Sequence, residues 1–421
     1  MLIFYFIAVL ILWQGIVSLA GGFRYLAFVR REMNDKQNES SSFQPFASVI
    51  APCRGVDQGL RENLAALFVQ QYPAYEVIFV ADSATDAALC VVEDVRRQYA
   101  GKENVRTQTI IAGQATDSGQ KVHNLRAAVR CVDGRSEAFV FVDTDARPRA
   151  DWLASLIAPL ENKETGAATG YRWYVPVRGG FASRLRAVWN GSIASALGER
   201  VNRNFCWGGS TAIRRDTFAR LNMPERWRGT LSDDFTLMRA LREAKLPIRF
   251  VPNCLTASFE DCSFKELLEF TTRQMKITRV YAAHFWKISL VSNLLFVIVF
   301  FGGIALTVLH AVEGRAYKVT LAFVLSIYAL GTAKSFLRLR AVSLPLAMYR
   351  AELRKDALSH LILWPLASAL YLYNAIAAAR SRRIEWRGIV YELKSPTETV
   401  IISSVKLEEN AKASGEARGV S

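Results

Sequence analysis

Apolar and polar positions follow two different periods along residues 47–143 of this chain. Four short apolar runs, rich in β-branched and aromatic residues, predict strands: Ala47–Pro52, Tyr75–Asp82, Val105–Ala112 and Ala138–Asp143. The segments between these runs carry apolar residues at helical spacing and predict helices: Leu60–Gln71, Ala84–Tyr99 and Lys121–Cys131. Strands that alternate with helices form a mostly parallel sheet covered by helices, so the expected fold class is α/β.

The alternation becomes less regular after residue 143 but continues to residue 285. Strand-like runs, one of them after a Gly-rich turn, occur at Ala167–Val175, Cys206–Ile213 and Ile248–Val251. Helical spacing occurs at Phe181–Gly198, after Ser232 as the predicted N-cap, and at Phe264–Phe285. We therefore expect one α/β domain with a mostly parallel, mixed sheet over residues 46–285.

An apolar segment, residues 1–20, precedes this domain and is long enough to span a bilayer. Its flanking positive charges come after the apolar run: Arg24, Arg30 and Arg31. A signal peptide carries such charges before the run, so we interpret residues 1–31 as a transmembrane anchor. The positive-inside rule places its N-terminus outside and its arginines in the cytosol. The polar, Ser-rich residues 32–45 are predicted to be a linker.

Three more hydrophobic segments lie within a C-terminal membrane region, residues 286–380: Ile288–Val312, Val319–Leu337 and Leu358–Ala379. The first two are good candidates for transmembrane helices. The third has basic residues on both flanks, which conflicts with a full crossing. Either it is a re-entrant or interfacial helix, or one crossing is misassigned. Residues 381–421 are expected to be a cytosolic tail, disordered from Ser403 onwards.

Lysine and arginine outnumber aspartate and glutamate by 53 to 38, which gives a formal net charge of +15. The basic residues lie near the hydrophobic segments, which favours a membrane surface over nucleic acid as the partner. We expect a multi-pass membrane protein with a cytosolic α/β domain, in the inner membrane if the source is bacterial. The 6 cysteines show no metal-ligand spacing, which indicates free thiols rather than a disulfide framework.

Acidic residues follow two of the predicted strands. Asp82 ends the second strand, and Asp143 and Asp145 come directly after the fourth. The carboxyl ends of parallel strands meet at one edge of a sheet, where ligands bind. Carboxylates are hard oxygen ligands for Mg²⁺ or Mn²⁺, and such a metal usually also takes substrate phosphates. The pattern therefore predicts a metal site for a nucleotide sugar at Asp143 and Asp145, although loop residues or helix caps also give such acids.

Other candidate residues come from the helix starts. Lys121 opens the helix between the two acidic strand ends, and a lysine there suits a diphosphate. Asp233 and Asp234 start a helix after the Gly-rich turn. The alternatives are a solvated surface lysine for Lys121 and acids that only favour the helix dipole for Asp233 and Asp234. Asp82 can likewise be a turn residue.

The chain resembles the inverting family-two glycosyltransferases with a nucleotide-diphospho-sugar (GT-A) fold, most closely the ceramide glucosyltransferase branch. The resemblance covers residues 46–285 and returns near 385–393. It depends on these segments: Ser48–Asp57, Tyr72–Val77, Asp82 with Thr85–Ala87, Lys121–Leu125, Asp143–Asp145, Gly208–Ser210, Ser232–Asp234 and Trp386–Tyr391.

The resemblance implies a role for each matched residue. Asp82 would contact the nucleoside, Asp143 and Asp145 would hold the metal and the diphosphate, and Asp234 would be the catalytic base. Asp233 occupies a position at which glutamate is common in the family. The acceptor side would be formed by Gly208, Gly209, Ser210 and Asp233.

The family's (Q/R)xxRW motif falls on residues 273–277. It keeps the basic Arg273 but has Lys276 for arginine and Ile277 for tryptophan. Arg273 and Lys276 would lie on the donor side, together with Lys121.

The expected function is transfer of a hexose from a nucleotide-diphospho-sugar, of the UDP-glucose type, to a hydroxyl of a membrane lipid, ceramide-like or other. The alternatives are a processive polysaccharide synthase and, in another class, a non-catalytic scaffold or a transporter. Few membrane segments and the apolar Ile277 disfavour a polymer channel. Scarce intramembrane charge and no inverted repeat of spans disfavour a transporter.

Overall fold

The computed structural model of the chain describes residues 1–34 and 42–404. Residues 35–41 of the predicted linker and residues 405–421 of the predicted tail lie outside the described residues. The strands are β1 (Ala47–Pro52), β2 (Tyr75–Ala81), β3 (Val105–Ile111), β4 (Ala138–Val142), β5 (Ala167–Val175), β6 (Ser210–Arg214), β7 (Ile248–Phe259), β8 (Arg383–Trp386), β9 (Ile389–Ser395) and β10 (Glu398–Ser404).

The helices are numbered separately. They are α1 (Leu2–Asn34), α2 (Leu60–Phe68), α3 (Ala87–Gln98), α4 (Gln120–Ala128), α5 (Trp152–Ile157), α6 (Phe181–Ala194), α7 (Arg215–Arg220), α8 (Met223–Arg226), α9 (Asp233–Glu243), α10 (Phe264–Tyr281), α11 (Ala283–Val312), α12 (Lys318–Val342), α13 (Arg350–Ile362) and α14 (Trp364–Arg380). Short 3₁₀ turns occur at Ala158–Glu161 and Ala347–Tyr349.

A seven-stranded sheet in the order β3-β2-β1-β4-β6-β5-β7 forms the centre of the α/β domain. Strands β3, β2, β1 and β4 are parallel, β6 runs antiparallel to both of its neighbours, and β5 and β7 are parallel. Val49 of β1 pairs with Val77 of β2 and with Val140 of β4, so the carboxyl ends of these strands meet at one edge. The α/β class with a mostly parallel, mixed sheet is confirmed.

The central strands are buried on both faces, as their continuous apolar runs predict. Alternate side chains of β4 supply the two cores: Val140 and Val142 face one cluster, and Phe139 and Phe141 face the other. Trp152 fills the first core and Trp227 the second, and both are almost completely buried. This packing fixes where β4 ends, and with it the position of the acids that follow.

Among the described residues, three helices, α1, α11 and α12, are each long and apolar enough to cross a membrane. They expose large apolar side chains, such as Ile3 and Val312, which suits lipid rather than water. Glycines bring α1 and α12 together: a Cβ at Gly22 would lie 3.2 Å from the Leu337 side chain. The predicted anchor and the two predicted C-terminal spans therefore form one bundle.

Helices α13 and α14 form a pair that is bent by 70°. The start of the pair packs on the α/β domain, where Leu353 shares a cluster with Trp173 of β5. Its end returns to the same domain, because Arg279 of α10 donates to the Ala378 carbonyl at 2.5 Å. Both ends of the pair contact the domain, so the arrangement fits the re-entrant or interfacial alternative for this segment.

The first part of the predicted tail is folded. Strands β8, β9 and β10 form an antiparallel sheet that packs on α10, with Ile277, Tyr281, Ile384 and Tyr391 in one apolar cluster. Alternate residues of β9 are buried, and this period of two was present in the sequence. Strand β7 also runs past the predicted end at Val251, because Pro252 and Asn253 interrupt the apolar pattern without ending the strand.

Candidate active site

The two acids after β4 are held by two cations. Lys121 Nζ lies 2.8 Å from Asp143 Oδ1, and Arg172 Nη2 donates to Asp143 Oδ2 at 3.0 Å. Arg172 also donates to both oxygens of Asp145, from Nη1 at 2.9 Å and from Nη2 at 3.2 Å. All four carboxylate oxygens of Asp143 and Asp145 therefore accept a charged donor.

Arg172 was not predicted as a site residue. It lies in β5, a strand buried along its whole length, and its guanidinium stacks over Trp207 at 4.8 Å from the ring centroid. Strand alternation sends Trp173 to the opposite face, where it stacks on His360 of α13. The sequence did contain a signal for Arg172, which is a charged residue within an apolar, aromatic run. Arginine is rarely buried unless it is paired, so a buried acidic partner could have been expected.

Lys121 links the acids of β4 to α9. Its Nζ also lies 3.3 Å from Asp233 Oδ1, at the first position of that helix. Gly208 leaves room for this pair, because a Cβ at Gly208 would contact the Asp233 carboxylate and lie 2.8 Å from Lys121 Nζ. The lysine at the start of α4 is therefore part of a buried ionic cluster rather than a solvated surface side chain.

Gly209 and Ser210, the other two predicted acceptor-side residues, lie next to the core. A Cβ at Gly209 would contact the Trp207 ring. Ser210 is fully buried and its Oγ accepts from Trp152 Nε1 at 2.8 Å. Gly208 therefore lies beside the ionic cluster, whereas Gly209 and Ser210 lie against the Trp207 and Trp152 side chains.

Asp234 is more accessible than Asp233. Its Oδ1 accepts from the Ser232 hydroxyl and from the Phe235 backbone N–H, at 2.7 Å for the latter. Ser232 is the N-cap of α9, as predicted. Asp234 is partly exposed, whereas Asp233 is buried and paired to Lys121.

Asp82 lies at the end of β2, on the same edge of the sheet. It is buried, and Arg54 of the loop after β1 lies 3.4 Å from its Oδ2. The Tyr391 hydroxyl of β9 accepts from the Gln120 backbone N–H at 3.2 Å, beside the start of α4. The C-terminal sheet thus covers the region between Asp82 and Lys121.

The predicted basic residues of α10 have different surroundings. Arg273 lies over the Trp386 ring of β8 at 5.4 Å from its centroid, and burial lowers the pKa of this guanidinium to about 10. Lys276 donates from Nζ to the Arg383 carbonyl at 2.6 Å and so contacts the C-terminal sheet. Ile277 packs in the apolar cluster beneath that sheet.

Glu260, directly after β7, is a second residue that sequence reasoning missed. Its carboxylate pairs with Arg186 Nη1 at 3.2 Å. Burial, assisted by the nearby Asp145, raises the pKa of Glu260 to about 7. An acid at a strand end was the same signal that identified Asp143, but β7 was predicted to end eight residues before its true end at Phe259.

The electrostatics of the cluster show an excess of negative charge. Burial raises the pKa of Asp233 to about 6, against the opposing effect of Lys121. Burial also raises the pKa of Asp145, although Arg172 opposes this. Burial acts to raise the pKa of Asp143 too, but Lys121 and Arg172 together hold it below the usual range.

The donor set can accommodate a divalent cation. Four carboxylates, those of Asp143, Asp145, Asp233 and Asp234, interact electrostatically with one or both of two cations, Lys121 and Arg172. Carboxylate oxygens are the ligands that Mg²⁺ and Mn²⁺ prefer, and a bound ion would have to take oxygens of Asp143 and Asp145 from Lys121 and Arg172. The described residues contain no group of three or more side chains placed to hold a metal, so substrate phosphates would have to complete the coordination.

Replacing Arg172 by methionine is expected to lower the free energy of unfolding by about 3–5 kcal/mol, because the largely buried Asp145 loses its charged partner and Asp143 keeps only Lys121. Thermal and chemical unfolding of the detergent-solubilised protein measures this loss. The control is Arg178→Met, which removes an arginine that is 86% exposed and paired at 3.6 Å. Equal losses in the two variants would contradict a structural role for the buried cluster.

The sheet order and the acids at its carboxyl edge define a nucleotide-diphospho-sugar transferase (GT-A) fold, and the membrane helices extend it on both sides. A family model, "Glycosyl transferase family 21", matches residues 8–399. The chain belongs to this family.

Relatives and solved structures are similar at low identity. Ceramide glucosyltransferase 3 of Caenorhabditis elegans is 23% identical over 219 residues, which cover 51% of this chain and 46% of that protein. Ceramide glucosyltransferase 1 of the same organism is 24% identical over 200 residues, covering 47% and 42%. The chain thus spans less than half the length of these relatives. A solved mannosyltransferase from Pyrobaculum calidifontis, in complex with GDP-Man and Mn²⁺, is similar over 90% of this chain and 98% of its own, at 17% identity and a TM-score of 0.44.

Proposed function

We propose that this chain is a membrane-bound glycosyltransferase that moves one hexose from a nucleotide-diphospho-sugar to a hydroxyl of a membrane lipid. The observation that carries the proposal is the buried ionic cluster of Asp143, Asp145, Lys121 and Asp233, with the accessible Asp234 beside it. The names of the relatives, ceramide glucosyltransferases, favour glucose as the transferred sugar and a ceramide-like lipid as the acceptor, and we propose a donor of the UDP-glucose type.

We propose that Asp143 and Asp145 hold Mg²⁺ or Mn²⁺ together with the donor. A bound divalent ion would supply positive charge where the leaving diphosphate gathers negative charge. Lys121 already lies 2.8 Å from Asp143 and adds a second positive charge at the same place. Asp82, near Arg54 at the end of β2, is assigned to the nucleoside.

Asp234 is the proposed general base. It takes the proton from the acceptor hydroxyl as that oxygen attacks the anomeric carbon. Ser232 and the Phe235 N–H hold one carboxylate oxygen, which orients the other. Attack in line with the departing diphosphate inverts the anomeric configuration, and no second carboxylate nucleophile is needed.

The lipid acceptor is proposed from the surroundings of the site. Helix α10 is amphipathic and leads directly into the membrane helix α11. The bent pair α13–α14 lies against α10 and α6, where Tyr371 stacks on Trp189 at 4.8 Å. The end of α10 contacts the segment before α9, where the Tyr281 hydroxyl accepts from the Leu231 backbone N–H at 2.8 Å, so a lipid headgroup beside α10 would lie near Asp234.

The size and configuration of the product test this function. With radiolabelled donor and native membranes, we expect an organic-soluble glycolipid that carries one added sugar in the inverted configuration. A ladder of lengthening, water-soluble oligosaccharides would instead support a processive synthase. A product that retains the donor's configuration would refute the role of Asp234.

The orientation of the α/β domain can be tested with its own cysteines. We propose that the domain is cytosolic, because the arginines at the end of α1 follow its apolar part. Cys90 and Cys131 are exposed on the domain. A membrane-impermeant maleimide should label them in lysed cells but not in intact cells. Cys90→Ser with Cys131→Ser is the control, and equal labelling of intact cells would place the domain outside.

A further inference from the structure

The turn between β8 and β9 places an arginine at the edge of the candidate donor site. Arg387 and Gly388 form this two-residue turn, and both have positive φ, 53° and 72°. Such a turn favours Asn-Gly or Gly-Gly, and arginine is rare in the left-handed region. A strained position of this kind suggests a function for the side chain.

Arg387 reaches across to the loop after β1. Its guanidinium donates from Nη1 to Asp57 Oδ1 at 2.8 Å and from Nη2 to Asp57 Oδ2, although the two residues are 330 positions apart. This hydrogen-bonded Asp57 raises the pKa of Arg387, and Asp145 and Glu260 add to the effect. The tip of the turn therefore lies within electrostatic range of the acids that were assigned to the metal and the diphosphate.

The backbone of the turn is fixed on the α/β domain. On one side Trp386 stacks with Arg273, and Lys276 donates to the Arg383 carbonyl. On the other side the Tyr391 hydroxyl contacts the start of α4. The side chain of Arg387, by contrast, is 42% exposed. Only this side chain has to move for its guanidinium to change partner.

Arg387 and Asp57 form a bidentate pair, and phosphate is the other group that matches the planar fork of arginine. A pair this exposed is weakly held, so an incoming diphosphate can compete with Asp57. On the basis of the function proposed above, we infer that Arg387 is a donor-binding residue: it leaves Asp57 and binds the diphosphate of the nucleotide sugar.

The test measures nucleotide binding to the full-length, detergent-solubilised protein with Mn²⁺ by titration calorimetry. The variant is Arg387→Asn, because asparagine adopts the turn conformation and keeps the hairpin. We expect it to weaken UDP binding about 10- to 100-fold, the effect of losing a charge-assisted hydrogen bond, and to leave uridine binding unchanged. GDP and guanosine are titrated in parallel. If the wild-type protein binds GDP rather than UDP, the effect of Arg387→Asn is measured with GDP and guanosine.

The matched control is Lys394→Ala, which removes an exposed cation of the same sheet, paired with Glu392 at 2.9 Å. It should leave the affinity for the nucleoside diphosphate unchanged. If Lys394→Ala weakened binding as much as Arg387→Asn does, the loss of any positive charge on this sheet would explain the effect, and the inference would be wrong.

Asp57→Asn shows whether Arg387 binds the diphosphate or whether its pair with Asp57 only stabilises the fold. Freeing Arg387 should strengthen nucleoside diphosphate binding, and this gain should disappear when Asp57→Asn is combined with Arg387→Asn. If the single variants both weaken binding of the diphosphate and the nucleoside alike, the pair only stabilises the fold and the inference fails. If neither UDP nor GDP binds the wild-type protein, the proposed donor class itself is wrong.

Discussion

Asp234→Asn is expected to lower the rate of sugar transfer by about 10²–10⁴-fold, the usual cost of removing a general base. Donor affinity should change much less than the rate, because the Asp234 carboxylate is hydrogen-bonded to Ser232 and the Phe235 N–H, whereas Asp143 and Asp233 form the ion pairs with Lys121. Single-turnover transfer and nucleotide binding, measured on the same preparation, separate the two effects.

Asp233→Asn is the matched comparison, because it changes the neighbouring carboxylate in the same way. Asp233 is buried and pairs with Lys121 at 3.3 Å, so its loss should weaken donor binding and stability more than it slows the chemical step. If Asp233→Asn were the change that abolishes transfer while donor binding persists, the base would be assigned one residue too late.

Asp145→Asn should abolish metal-dependent donor binding and lower transfer by at least about 10²–10³-fold, as expected when preorganised charge at a leaving group is lost. The variant should remain folded, because Arg172 keeps its bond to Asp143 at 3.0 Å. Donor titrations with Mn²⁺ and with EDTA measure the change. Asp151→Asn, a partly exposed acid paired with Arg149, is the control and should behave as the wild type. Turnover that is unchanged in EDTA would rule out the metal.

Local patterns in the sequence predicted the first half of the domain. The apolar runs gave β1, β2, β3 and β4 to within one residue at either end, because buried parallel strands need continuous apolar side chains. Because the carboxyl ends of parallel strands meet at one edge of a sheet, Asp82, Asp143 and Lys121 were expected near one another. The structure has them at one edge of the sheet.

The remaining site residues depend on long-range pairing that no local pattern encodes. Arg172 reaches Asp145 because β5 pairs with β6 only at Ala168 and Thr169 and then continues past it, to the edge where β4 ends. Arg387 reaches Asp57 only because the C-terminal sheet folds back on α10. Lys276 matched a motif position, and its side chain contacts the Arg383 carbonyl of the same C-terminal sheet, a contact that no local pattern indicates.

Mass spectrometry of lipid extracts tests whether this chain transfers a single hexose to a membrane lipid. Membranes that contain the wild-type protein or Asp234→Asn are incubated with Mn²⁺ and a panel of nucleotide sugars. We expect a lipid whose mass increases by one hexose with one of the donors, and only with the wild-type protein. Polymer in place of a glycolipid, or the same glycolipid in equal amount with Asp234→Asn, would contradict it.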